Sequence, residues 1–131
     1  MNEQIILLLQ SHFKNYKRTS LNSMRVQPDS FKILIGCLVS IGIKDSVTES
    51  ILRELFSKYK TFQEIVDSDI NELEKLLYFA RFRRIKAARI KSVSLEIIKR
   101  FDGRVPSTKD ELLSIKGIGQ KTANIVLAFA F

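Results

Sequence analysis

The sequence holds one cysteine and one histidine in 131 residues. A lone Cys37 excludes an internal disulfide and any cysteine-based metal site built from this chain. Set within "ILIGCLVSI", it reads as a small buried core residue. His12, with no partner nearby, reads as a surface residue rather than a catalyst. Long apolar runs are missing too: "IILLL" at 5–9 falls far short of the ~20 residues that cross a membrane. The start, "MNEQ", carries an acid and neither Lys nor Arg, unlike a secretory leader. The expectation is a cytoplasmic protein with no membrane partner. Low-complexity tracts, fixed-period repeats and strand-like alternation are likewise absent.

What remains is the composition of an ordinary globular domain, 45% hydrophobic and 27% charged. At this length one domain can bury roughly two thirds of its unfolded surface. Bases outnumber acids, 22 to 14, for a net charge of +8. They are also unevenly placed. "RFRRIKAARIK" at 81–91 has six basic residues and no acid, and 4–28 is acid-free while holding Lys14, Lys17, Arg18 and Arg25. Such patches suit a polyanion; a merely solvated basic helix face is the alternative.

The periodicity is helical. Ile5, Ile6, Leu8, Leu9, Phe13 and Tyr16 predict an amphipathic helix over 3–18. A polar link ends at Pro28, with Asp29 and Ser30 as candidate caps. The run "FKILIGCLVSI" at 31–41 is apolar on every side, as a central helix would be. A buried strand is the competing reading, without a hairpin or βα pattern around it. Capping boxes at Ser46/Glu49, Thr61/Glu64 and Thr108/Glu111, and a weaker one at Asp69/Glu72, announce further helices. One more is expected from about Ile85 to Phe101, closed by Gly103, before Pro106 enforces an extended link. The prediction is an all-α helical bundle or barrel of seven to eight short helices, divided into an N-terminal helix and linker (1–27) and a core (28–131).

The core ends in "LLSIKGIGQKTANIVLAFAF". A helix is expected to stop at Lys116, with Gly117 supplying a positive φ and Gly119 letting a ligand approach the backbone. A second helix then starts near Gly119 or Gln120, and its unpaired N–H groups and dipole form an anion site. Lys121 and Thr122 add a charge and a hydroxyl beside it, so Gly117, Ile118, Gly119, Gln120, Lys121 and Thr122 form a candidate grip on a DNA phosphate. An ordinary αα-hairpin turning at glycine is the alternative. The spacing is wrong for a Walker loop, and no strand precedes it.

"LLSIKGIGQKTANIVL" resembles the helix-hairpin-helix of the endonuclease III group of DNA glycosylases. That pattern runs Leu, two residues, an aliphatic, Pro, Gly, an aliphatic, Gly, any residue, Lys-Thr-Ala-Asn. Leu112, Ile115, Gly117, Ile118, Gly119, Lys121, Thr122, Ala123 and Asn124 match it; Lys116 stands where Pro is usual. "FARFRRIKAARI" (79–90) is similar to the family's DNA-facing loop and helix, with Phe82, Arg84, Lys86, Ala87, Arg89 and Ile90 in register. "FKILIGCLVSIGIKD" (31–45) resembles its buried core helix, with Ser40 and Asp45 matching. The similarity spans 28–131.

The resemblance implies a base-excision-repair protein acting on damaged or abasic double-stranded DNA, near the nucleoid. Lys121 takes the position of the nucleophile that attacks C1′ of the damaged nucleotide, forms a Schiff base and leads to strand nicking. Such an amine must shed its proton, which a helix N-terminus favours; a plain phosphate contact is the other role open to Lys121. Arg81, Phe82, Arg83, Arg84 and Lys86 fall in the basic DNA-facing loop, and Ile41, Gly42 and Asp45 in the loop beside the base gap. There Gly42 replaces a Gln that fills the gap left by a flipped base, while Arg81 and Arg83 replace Gly and Tyr. The family's catalytic Asp and iron–sulfur cysteines would fall past Phe131. Impaired base removal and no cluster are therefore expected, with self-association or a separate C-terminal polypeptide covering the apolar end. A DNA-binding piece without chemistry, or a helical protein-interaction module, are the competing functions.

Overall fold

A helix apolar on all sides must be surrounded, and α1 (Ser30–Ser40) is. From Phe31 onward only Lys32 keeps appreciable contact with solvent. The computed structural model describes residues 29–131 and contains, among these, seven helices and no strand. After α1 come α2 (Asp45–Lys58), α3 (Phe62–Asp67), α4 (Ile70–Leu76), α5 (Arg83–Phe101), α6 (Lys109–Leu113) and α7 (Gln120–Ala130). Helix α1 packs against α2, α5 and α7; α3 and α4 lie on α5, and α6 lies on α7. The all-α bundle expected from the sequence is the fold observed. The helix expected over 3–18, and His12 with it, lie outside the described residues.

Local signals explain most helix starts. Asp29 Oδ1 accepts from the N–H of Phe31 (3.0 Å) and Lys32 (3.3 Å), satisfying two donors at the head of α1. Thr61 accepts from Glu64 N–H at 3.2 Å, and Thr108 from Glu111 N–H at 3.3 Å, as the capping boxes predict. At Asp69 only half the box forms: its carboxylate accepts from Asn71 N–H (2.9 Å), while Glu72 pairs with Lys58 on α2.

Two expectations are corrected. Ser46 does not cap α2. The helix begins at Asp45, one residue before Ser46, with Lys44 as its N-cap; an ammonium has no acceptor to offer the first N–H groups, and Ser46 falls inside the first turn. Nor does α6 run to Lys116. It stops at Leu113, and Ile115 is instead drawn into the core (0% exposed).

Helix α5 ends as its glycine suggests, though by two left-handed residues: Asp102 (φ 57°) precedes Gly103 (φ 79°), whose N–H donates to Ile97 O at 3.0 Å. Along its length α5 buries Lys86, Ala87, Ile90, Val93, Ser94 and Ile97, a stripe at three- and four-residue spacing. Lys91 reaches from the same helix to the carbonyls of Ile65 (2.9 Å), Val66 (3.1 Å) and Ser68, capping the end of α3.

Leu38 is fully buried near the end of α1. Leu38→Ala should cost about 2–5 kcal/mol in urea unfolding with the m-value unchanged, the cavity being unable to collapse where neighbours close in on every side.

Candidate nucleic-acid interface

The last carbonyls of α1 point at the amino end of α5. Lys86 Nζ donates to Val39 O at 3.1 Å and also to Ile41 O. A cation at a helix C-terminus is favoured by the dipole, and here it satisfies carbonyls that would otherwise be orphaned. The side chain is only 3% exposed. Burial, and after it the charge of Arg89, push its pKa down to about 8. The ammonium of Lys86 is thus taken up by backbone carbonyls: the residue assigned to the basic loop is a buried brace under the turn that follows α1. That turn carries Ile41, exposed, and Gly42, whose φ of +75° suits glycine.

Above the brace lies the 77–82 loop. Phe82 is the N-cap of α5 in a left-handed backbone (φ 57°, ψ 42°), uncommon for a bulky residue. Its carbonyl accepts from Lys86 N–H at 2.9 Å, and its ring stands 66% exposed with the Arg81 guanidinium 5.6 Å from its centroid. A groove of about 370 Å³ opens between this loop and the Ile41–Gly42 turn, lined also by Arg81, Phe82, Ile85, Lys86 and Arg89. Arg83 and Arg84 are exposed and do not line this groove; the Arg83 guanidinium sits 5.1 Å from the Tyr78 ring centroid.

On the other side of the same turn is the hairpin. Leu112, Ile115 and Ile118 are buried and pin it to the core, while Lys116 and Gly119 face out. Gly117 has φ +104°, and a Cβ there would come within 3.0 Å of Arg89 Cγ and 3.1 Å of Val93 Cγ2, so the turn lies tightly on α5. Gly119 has open space where a Cβ would stand, and as N-cap of α7 it brings no side chain to the helix's first N–H groups. A second cavity, about 330 Å³, is lined by Gly119, Gln120, Lys121 and Thr122 from the hairpin and again by Ile41 and Gly42. Lys121 is exposed and Thr122 is buried.

The three segments singled out from the sequence thus converge, with Ile41–Gly42 forming a wall common to both cavities. Asp45 does not join them. It is the first residue of α2, where its charge complements the helix dipole. Ile85 and Arg89 do line the groove and were absent from the sequence-based site, although their spacing from Lys86 and Phe82 places them on the same face of α5. Neither cavity is lined by a carboxylate, so the site offers cations, backbone donors and an exposed amine.

Cys37 is buried, with its thiol pushed up to about 12 by that burial, which makes it a poor metal ligand. No three His, Cys, Asp or Glu side chains come together to hold a metal among the described residues. These residues do not fit an iron–sulfur cluster. No described helix is long and apolar enough to cross a membrane.

An all-α core presenting a glycine-turned hairpin beside a basic loop defines a helix-hairpin-helix protein. The family model described as "Helix-hairpin-helix motif" matches residues 100–129. Endonuclease III of Thermotoga maritima is 37% identical over 105 residues, 80% of this chain and 49% of that protein. Endonuclease III of Synechocystis is 34% identical over 76% of this chain and 46% of its own length. A solved endonuclease III–DNA covalent intermediate, described as an estranged-adenine complex, superposes with a TM-score of 0.76 at 26% identity, covering 100% of this chain and 61% of that one. A thermostable thymine-DNA glycosylase shares the fold, with a TM-score of 0.75. The chain belongs to the endonuclease III-like helix-hairpin-helix family, and it spans about half the length of the curated relatives it matches.

The lowered pKa of Lys86 has a testable consequence. In the native state the group loses its proton near pH 8, in the unfolded chain near its ordinary 10.5, so between these values the unfolded state binds more protons. Its titration therefore adds stability that is full above about 10.5 and lost as pH falls through 8. Lys86→Met keeps the buried stem but leaves two carbonyls unpaired, and should be destabilised by about 1–3 kcal/mol near neutrality. Denaturant unfolding of both proteins should show the gap widening as pH rises from 8 to 10.5.

Proposed function

We propose that this chain binds duplex DNA and acts on abasic sites, with Lys121 as the nucleophile. The observation that carries the reading is the shared Ile41–Gly42 wall, which puts the basic groove and the Lys121 cavity side by side. The hairpin grips one backbone phosphate through the N–H groups heading α7, without reading bases. Arg81, Arg83 and Arg84 supply salt-sensitive contacts to neighbouring phosphates. Phe82, held outward at the groove's rim, is the apolar group able to enter the stack where a nucleotide has been turned out. Gly42, having no side chain, leaves that filling role to it.

The chemistry suits a substrate that already carries an aldehyde. The unprotonated amine of Lys121 adds to C1′ of the opened abasic sugar, and loss of water gives an iminium ion. A proton then leaves C2′, the 3′ phosphate departs by β-elimination, and the strand is nicked. Base removal asks for more: a cationic sugar must be stabilised as the base leaves, and no carboxylate lines either cavity. We assign that step, where it occurs, to an acid from a second polypeptide or another part of a longer protein. No iron–sulfur cluster is held by this chain's own residues in this reading. The parentage is that of DNA base-excision repair, in the cytoplasm at the nucleoid. It is supported by relatives named endonuclease III and by a structural neighbour trapped covalently on DNA.

A second reading, DNA binding without chemistry, is favoured by that same missing carboxylate. Borohydride trapping on an abasic duplex separates the two. The expected result is a covalent protein–DNA adduct that Lys121→Gln abolishes, while salt-sensitive duplex binding falls only modestly. Binding without any adduct would establish the non-catalytic reading. No duplex binding even at low salt would sink both.

A further inference from the structure

Eight large apolar side chains are exposed among the described residues, and four of them (Tyr78, Phe79, Phe82 and Ile85) fall within one eight-residue stretch. Phe82 and Ile85 line the groove, but Tyr78 and Phe79 line neither cavity. They form their own unit. Their rings meet edge to face at 5.1 Å, the Arg83 guanidinium lies 5.1 Å from the Tyr78 centroid, and Phe79 is the most exposed of the eight at 78%. Nothing in the helical pattern of α4 or α5 requires aromatic residues here.

We infer that Phe79, backed by Tyr78 and Arg83, is a stacking platform for an unpaired nucleobase of the bound DNA. The inference rests on the DNA-binding reading above and adds a second contact to it, outside the groove. The surroundings select this occupant. From Lys75 to Leu95 the chain has seven bases and no acid, so the patch sits in a positive field. Two copies docked face to face through it would oppose like charges. A partner must instead offer negative charge together with flat apolar faces, and a nucleic-acid strand with a base out of its stack offers both. Aromatic rings interleaved with guanidinium groups hold such bases without regard to their identity. Turning a nucleotide out of a duplex leaves its former partner unpaired, which supplies a base for the platform at the lesion itself.

Two duplexes of the same length test this, one fully paired and one carrying a single-base 2-aminopurine bulge, with affinity read by anisotropy and stacking by 2-aminopurine quenching. Wild-type protein should bind the bulged duplex more tightly and quench the probe. Phe79→Ala should weaken bulge binding by about 5- to 100-fold, the worth of one stacked base, and abolish quenching while leaving paired-duplex binding unchanged. Phe79→Trp should retain both. Equal losses on the two duplexes, or no loss on either, would overturn the platform while leaving the DNA-binding reading intact. Absence of binding to any duplex would end both. If Phe79→Ala instead dissolves a dimer seen by sedimentation and spares the bulge preference, the patch is a self-interface and the inference fails.

Discussion

One buried ammonium holds the interface together. Lys86 ends α1 by taking the carbonyls of Val39 and Ile41, and in doing so sets where the Ile41–Gly42 turn stands. A helix terminus buried without such a partner leaves orphaned acceptors, each costing about 1–3 kcal/mol. A lysine pays for its own desolvation in return, which is why its proton is held less tightly than usual. The same helix repeats the device with Lys91 at the end of α3. Helix α5 therefore aligns two other helices by their C-termini as well as by its apolar stripe.

The order extends along one face of α5. Phe82 at its cap forms the rim of the groove, Lys86 supports the wall between the cavities, and Arg89 with Val93 receives the Gly117 turn. These positions follow at spacings of four, three and four, which an α-helix brings to a single side. Rim, wall and hairpin thus share one rigid element as their reference. For the proposed function such a shared frame matters, because a phosphate site and an amine would have to meet the same distorted strand, and small misplacements are costly at a reacting centre.

Much of this was legible in the sequence, and what was not has a common cause. Asp29, Thr61 and Thr108 could be read as caps because a cap bonds within its own three residues. The hairpin was legible because its glycines and helix start are likewise local. That Lys86 is buried was not legible from its place in the basic loop, since a lysine in a basic run looks the same whether water or a helix end lies opposite. Its partners are 45 and 47 residues away. Leu113 ending α6 was missed for a related reason: Ile115 continues the helical spacing but is claimed by the core. The left-handed backbone of Phe82 left no trace in composition, for glycine or asparagine would be the usual signal there.

The six bases of 81–91 accordingly divide into two kinds with different freedom to change. Lys86 and Lys91 are committed to carbonyls, and Arg89 lies partly against the hairpin turn, so each is fixed by the fold. Arg81, Arg83 and Arg84 are exposed and, among the described residues, make no hydrogen bond or ion pair that the fold depends on; Arg81 and Arg83 contact the rings of Phe82 and Tyr78. Loop surfaces of this sort can vary without unfolding the domain, which is where recognition is tuned in most scaffolds. In the proposed reading the hairpin's grip is indifferent to sequence, because it meets only the backbone of a strand. On that reading, discrimination between one distorted duplex and another falls to the aromatic–arginine loop, whose side chains are held outward by a helix anchored elsewhere.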